Sequence, residues 1–311
     1  MTVQLPGWMR PATHGGGAPQ HPALEALQAA IGRLSHLPTL PEAATRAMAI
    51  ARDPDCSSTE LAAVIERDPA LAAGVLKRAN SALHGAAGPV GSVPQAVVNL
   101  GLKECQNLIL AVGLRSLYRK VPGPQRQRYE ALWQHSLLTA CACRGLGRAL
   151  GLGYYGEEFA CGLAHDLGRL LLGLAAPEHA PAADPMDFVE GTAVLLRERA
   201  VLGTDHCAFG AWFAKENNLP DCLVSSIRFH HTPERADEHR PLVALVAAAD
   251  HLANYYQLGH GCDGYDPAAS PGWPVLAAHA DNTRGQPFSR VVAGVLAEAL
   301  EEAAEGLVPA A

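Results

Sequence analysis

No stretch of the sequence alternates apolar and polar residues over five or more positions with the β-branched enrichment of a strand. That absence constrains the fold more than any other feature. Apolar residues return instead every three or four positions, the spacing that draws one stripe along a helix. Leu24, Leu27, Ile31 and Leu34 make the first such stripe. Helix starts stand beside later ones. Ser57 and Glu60 have capping-box spacing ahead of Leu61, Val64 and Ile65. Asp68-Pro69 offers an N-cap and then a proline at the first helical position, ahead of Leu71 and Leu76. Ser92 and Gln95 repeat the box spacing before Val97, Val98 and Leu100, and Gly101 reads as a stop. The expected fold class is all-α.

The chain has 311 residues, which at roughly 150 per domain suggests about two units. The Pro/Gly break at Val121–Pro124 marks the expected boundary between two helical subdomains. Residues 1–21 read as a Gly/Pro-rich flexible leader, 22–122 as an N-terminal helical half, and 126–256 as a second half. In that second half the pattern predicts helices over 126–149, 157–175, 187–200, 205–217, 220–230 and 241–256. Residues 257–288 read as an irregular connection, and 289–311 as a last helix with Val292, Val295, Leu296 and Ala299 on one side.

Composition removes several classes. A formal charge of −7 argues against general nucleic-acid binding and against attraction to an anionic membrane. No run of about 18 uninterrupted apolar residues occurs, so no membrane span is expected. Met1–Gly17 lacks the order of a signal peptide, and the expected location is cytoplasmic. Eight cysteines spread over this length form no dense disulfide framework.

The chemistry-bearing anomaly is a set of ionisable residues placed where the stripes call for leucine. His135 lies between Ala131 and Leu138 on one helix face. His165 and Asp166 follow Phe159, Cys161 and Leu163 and precede Leu170 to Leu172. His206 stands three residues before Phe209, and His230 and His231 end a helix whose inner face is Leu223, Val224 and Ile227. Asp250 follows Val243, Val246 and Ala247 at helical steps. A buried carboxylate among neutral imidazoles lacks a countercharge, and a divalent cation supplies one. Histidine with aspartate suits iron, manganese or zinc, whereas calcium and magnesium take oxygen shells. One or two such ions are expected, and Asp166 is placed to bridge a pair. Any one of these histidines alone is more simply a hydrogen-bonded core residue. The order H, HD, H, HH, D on successive helical segments is what singles out the set.

That order resembles the HD superfamily of metal-dependent phosphohydrolases. The surrounding text is similar to one branch of it, the HDOD domain (HD-related output domain) of bacterial signalling proteins. The resembling phrases are LPTLPEAATRAM (37–48), ELAAVIERDPALAAGVLKRANSA (60–82), SVPQAVVNLGLKE (92–104), LWQHS (132–136), GLAHDLGRLLL (162–172), GTDHCAFGAWFAKENNLPD (203–221) and IRFHHTPE (227–234). The resemblance implies an HD-like second half and a regulatory or output module in signal transduction. Such a module would act through a signalling protein partner or a nucleotide-type small ligand. It also implies an alternative, a metal-dependent phosphohydrolase or phosphodiesterase on a nucleotide or cyclic dinucleotide. There Asp166 and Arg169 would be the catalytic pair, with His135, His165, Asp166, His206, His230, His231 and Asp250 as metal ligands. The chain departs from the related HD-GYP phosphodiesterases: Thr232-Pro233-Glu234 follows the paired histidines, Arg169 stands for a common lysine, and position 131 is alanine. An arginine keeps the charge but presents a planar fork.

Overall fold

The computed structural model describes residues 57–82, 89–119, 121, 123–188, 191–260, 264–279 and 288–305, besides Arg46 and Ile50. The expected leader and the Leu24–Leu34 stripe lie outside them. Among the described residues there are helices and no strands. In chain order they are α1 (Ser58–Ile65), α2 (Pro69–Ala82), α3 (Val93–Tyr118), α4 (Arg126–Ala149), α5 (Glu157–Ala164), α6 (Leu167–Ala175) and α7 (Ala180–Ala183). Then come α8 (Thr192–Leu202), α9 (His206–Glu216), α10 (Asp221–Phe229), α11 (Arg240–Gln257), α12 (Trp273–Leu276) and α13 (Phe288–Glu305).

The described residues form two compact units, one of 127–299 and one of 57–126 with 300–305. In the smaller, α1 and α2 pack on α3 and on each other. Local chemistry starts each helix. Ser57 and Glu60 make the reciprocal capping box of α1. The Asp68 carboxylate accepts from the Ala70 and Leu71 amides at 2.9 and 3.1 Å, with Pro69 at the first helical position of α2. Arg78 bridges Glu104 of α3 and Glu302 of α13, each at 2.9 Å.

Gly101 is not the stop that its sequence context suggests. It adopts φ 79° and ψ 163° inside α3, so the chain kinks there and resumes as helix. By length and composition α3 is apolar enough to cross a bilayer, although charged and polar residues interrupt its apolar run. However, 56% of its apolar window is buried within the protein. Together with the kink, that identifies a core helix.

In the larger unit α6 packs on α9, α9 on α10, α10 on α5 and α11, and α11 on α5 and α12. Phe159, Leu170, Leu171, Phe209, Ile227, Val243 and Val246 are fully buried between them. One close approach sets the geometry. A Cβ on Gly168 of α6 would lie 1.9 Å from the backbone oxygen of His206, and one on Gly210 of α9 would lie 2.9 Å from the Gly168 nitrogen. Only glycine lets these two helices meet backbone to backbone, and that contact brings His206 to Asp166.

Three sequence expectations change here. The helix expected over 157–175 breaks at His165-Asp166, which form a turn between α5 and α6. Successive residues of one continuous helix point about 100° apart, so the turn is what allows both side chains to face inward. The helix expected from 187 begins at Thr192, after a segment with left-handed Met186 and Phe188. The expected irregular connection contains a 3₁₀ turn at Pro267–Ala269 and α12.

Candidate metal centre

All seven residues singled out from the sequence converge in the larger unit. His135 comes from α4, His165 and Asp166 from the α5–α6 turn, His206 from the first turn of α9, His230 and His231 from the end of α10, and Asp250 from the middle of α11. None is more than 8% exposed.

Four of the histidines are fixed from outside. His165 Nδ1 lies 2.7 Å from the Gly162 carbonyl, and His230 Nδ1 lies 3.1 Å from that of Ser226. His206 Nδ1 is 2.7 Å from a Glu198 carboxylate oxygen, and His135 Nδ1 is 2.7 Å from the amide oxygen of Gln257. Each partner is an acceptor, so Nδ1 carries the proton and donates it. In the neutral ring Nε2 is then the nitrogen that can ligate, and the four Nε2 atoms face the same buried region.

There they form two sets joined by one carboxylate. In the first, His135 Nε2 lies 3.3 Å from His165 Nε2 and 3.0 Å from Asp250 Oδ1, and His165 Nε2 lies 3.6 Å from the same oxygen. In the second, His206 Nε2 lies 3.4 Å from His230 Nε2 and 3.2 Å from His231 Nε2. Asp166 Oδ2 faces the first set, 3.5 Å from His165 Nε2, and Oδ1 faces the second, 3.5 and 3.6 Å from His206 and His230. Zinc-like bonds of about 2.0–2.2 Å put tetrahedral ligand atoms about 3.3–3.6 Å apart. Six of the eight donor spacings fall in that range and the other two, 3.0 and 3.2 Å, lie just below it, and an imidazole and carboxylate set suits a transition metal.

Charge points the same way. Burial opposes ionisation of Asp166, but the Arg169 guanidinium and the surrounding imidazoles outweigh it and hold its carboxyl well below the usual range. Burial likewise opposes ionisation of Asp250, and the hydrogen bonds of His135 and His165 overcome it. Burial and the neighbouring His230 and His206 push His231 well below the usual imidazole range, so it is neutral and ready to ligate. Asp166, Asp250, Asp184 and Glu198 are all buried, and two guanidinium groups, Arg169 and Arg128, face them. The three aspartates held ionised outnumber the two guanidinium groups, so positive charge remains to be supplied by metal or imidazolium.

Arg169, which the resemblance sets beside Asp166 as a catalytic residue, faces two carboxylates. Its Nη1 donates to Asp166 at 2.8 Å, and its Nε and Nη2 form a fork onto Asp184 at 2.9 and 3.0 Å. Glu198, Asp184, Gln257 and Asn254 were not singled out from the sequence, although Asn254 donates to Asp250 at 2.8 Å. Glu198 carried the same signal as the others, a charge on the stripe Val194, Leu195, Glu198, Leu202. Asp184 lies in a Pro-rich turn with no periodic pattern to violate.

Comparison with known proteins places most of the chain beside proteins of the same fold. The HDOD domain model matches residues 37–233. An uncharacterised protein of Treponema pallidum (strain Nichols) is 28% identical over 220 residues, 70% of this chain and 42% of that relative. The match therefore spans less than half the length of that relative. A crystal structure of an HDOD domain protein with unknown function from Geobacter sulfurreducens is similar with a TM-score of 0.71 and 26% identity, covering 93% of this chain and 99% of that one. A candidate phosphohydrolase from Shewanella amazonensis SB2B is similar at 0.66 and 25% identity, covering 89% and 97%.

Proposed function

The chain belongs to the HDOD domain family, and from that premise we propose that it is a regulatory module of signal transduction built around an HD-type metal centre. His135, His165 and Asp250 would hold one divalent transition-metal ion, iron, manganese or zinc. His206, His230 and His231 would hold a second, with Asp166 shared between them. The module acts through a bound ligand or a protein partner. The observation that carries this reading is the burial of the centre: seven donor residues with convergent Nε2 and carboxylate atoms, none more than 8% exposed, and the Phe188 ring 5.7 Å from that of His135. A centre so enclosed suits an ion held for structure or sensing. Elemental analysis of the full chain beside Asp166→Ala tests the metal, and a screen against phosphodiesters tests the absence of turnover.

The second reading is a metal-dependent phosphohydrolase, favoured by the retention of every donor and by the resemblance to a candidate phosphohydrolase. A divalent ion there would supply Lewis-acid stabilisation of charge on phosphate oxygens. The chain's own part would be orientation. Arg169 fixes the Asp166 carboxylate from one side, and the backbone and side-chain acceptors fix four of the five imidazoles from the other. Metal-dependent phosphodiester hydrolysis that is lost in Asp166→Ala would establish this reading over the first.

A further inference from the structure

The segment Asp184–Phe188 meets the site at both ends, and three observations set it apart from an ordinary connection. First, two guanidinium groups converge on Asp184. Arg169 holds its carboxylate through a two-bond fork at 2.9 and 3.0 Å, and Arg128 Nη2 lies 3.6 Å from it while donating to the Asp184 carbonyl. A planar fork facing a carboxylate is equally suited to two oxygens of a phosphate. Second, the segment closes on the centre at its other end, where the Phe188 ring packs against His135. Third, its backbone is strained. Met186 and Phe188 adopt φ of 57° and 55°, a left-handed region that costs a side chain about 1 kcal/mol or more. Pro185 and Asp187 are exposed, and Met186 and Phe188 only half-buried. The strap is thus held at one end by the Asp184 ion pairs and at the other by the Phe188 ring contact, with exposed residues between, the profile of a segment that opens locally.

We propose that Asp184–Phe188 is an internal plug, in which the Asp184 carboxylate occupies an oxyanion seat between Arg169 and Arg128 that a ligand's phosphate group takes when the strap lifts. The inference rests on the metal-centre reading above and deepens it by naming the ligand class, a phosphate mono- or diester. Displacing Asp184 would free the Arg169 fork while its Nη1 stays on Asp166, so the phosphate would lie beside the bridging carboxylate. Withdrawal of Phe188 would uncover His135 in the same movement. Closed, the strap keeps Phe188 against His135; open, it gives a phosphate a way in.

The test uses the full-length chain, with metal content measured first and binding of inorganic phosphate and of dimethyl phosphate by calorimetry. Asp184→Asn removes the competing charge and is expected to bind phosphate about tenfold or more tightly than the native chain. Preference for inorganic phosphate over dimethyl phosphate would identify a monoester seat, and the reverse a diester seat. Adding Arg169→Gln to Asp184→Asn should abolish the gain. Phe188→Ala leaves every ion pair in place and carries the same expectation in smaller degree, should Asp184→Asn not fold. In the native chain, saturating phosphate should speed amide hydrogen exchange at Met186–Phe188. A metal-loaded Asp184→Asn with native phosphate affinity overturns the plug and leaves the metal reading intact. A metal-free chain whose Asp184→Asn form still gains phosphate overturns the metal reading and keeps the plug.

Discussion

At the scale of single residues, the account turns on how each imidazole is held. A histidine whose Nδ1 proton is already donated presents Nε2 without having to choose a tautomer. Glu198 does this for His206 and also accepts from the His206 amide at 2.9 Å. Removing such a partner lowers metal affinity typically by about 10–100-fold. Glu198→Ala is expected to fall in that range in a chelator-competition titration, and Glu198→Gln, which keeps an acceptor oxygen, to lose less. Imidazoles ligate only when neutral, so bound metal should drop as the pH is lowered from about 8 to about 5. Metal content constant over that interval would contradict the histidine ligands. The seven clustered residues were legible because each breaks an apolar stripe, a local signal that needs no knowledge of the fold. Glu198 broke its stripe too and was readable by the same rule. Asp184 and Gln257 were not, because a turn and a helix end have no pattern for a polar residue to interrupt.

Among the elements, the approach of α6 to α9 places the centre. Gly168→Ala would push a methyl group into the His206 backbone, where neither helix can yield without moving a ligand. Overpacking of this kind costs about 1–3 kcal/mol or more. The expected result is a lower midpoint in urea together with loss of bound metal, measured on the same preparation. By contrast, Ser57→Ala removes the α1 cap in the other unit and should cost about 1 kcal/mol with metal content unchanged. The helices themselves were legible from periodicity and caps, as Ser57, Asp68 and Ser92 illustrate. What periodicity missed were interruptions inside apolar runs. The α5–α6 break at His165-Asp166 and the kink at Gly101 are set by tertiary demands, since both halves of each run remain apolar. Gly101 marks the break in the pattern, but a stop and a kink differ only in whether the following stripe packs on the same core.

On the scale of the whole molecule, the buried charges make stability depend on pH. Burial opposes ionisation of Asp184, yet Arg169 and the other donors around it hold its carboxyl below the usual range. A carboxyl lowered on folding contributes stability above its unfolded value of about 3.9, and that contribution is lost as the pH falls through the folded value. Asp184→Asn should therefore flatten the acid limb of the stability profile below about pH 4 and leave its shape near neutrality, as read by denaturant midpoints across pH. An unchanged acid limb would mean that Asp184 is not ionised in the folded chain. The all-α class followed from the sequence because helices announce themselves locally. The burial of the centre did not, because it comes from the packing together of helices far apart in the chain, which no local pattern announces. The most direct test of the central claim is metal stoichiometry by elemental analysis, on full-length protein purified without chelator or metal-affinity resin, with Asp166→Ala in parallel. The account predicts one or two equivalents of iron, manganese or zinc in the native chain and loss of metal in the variant. A native chain that is metal-free and takes up no added metal would contradict it.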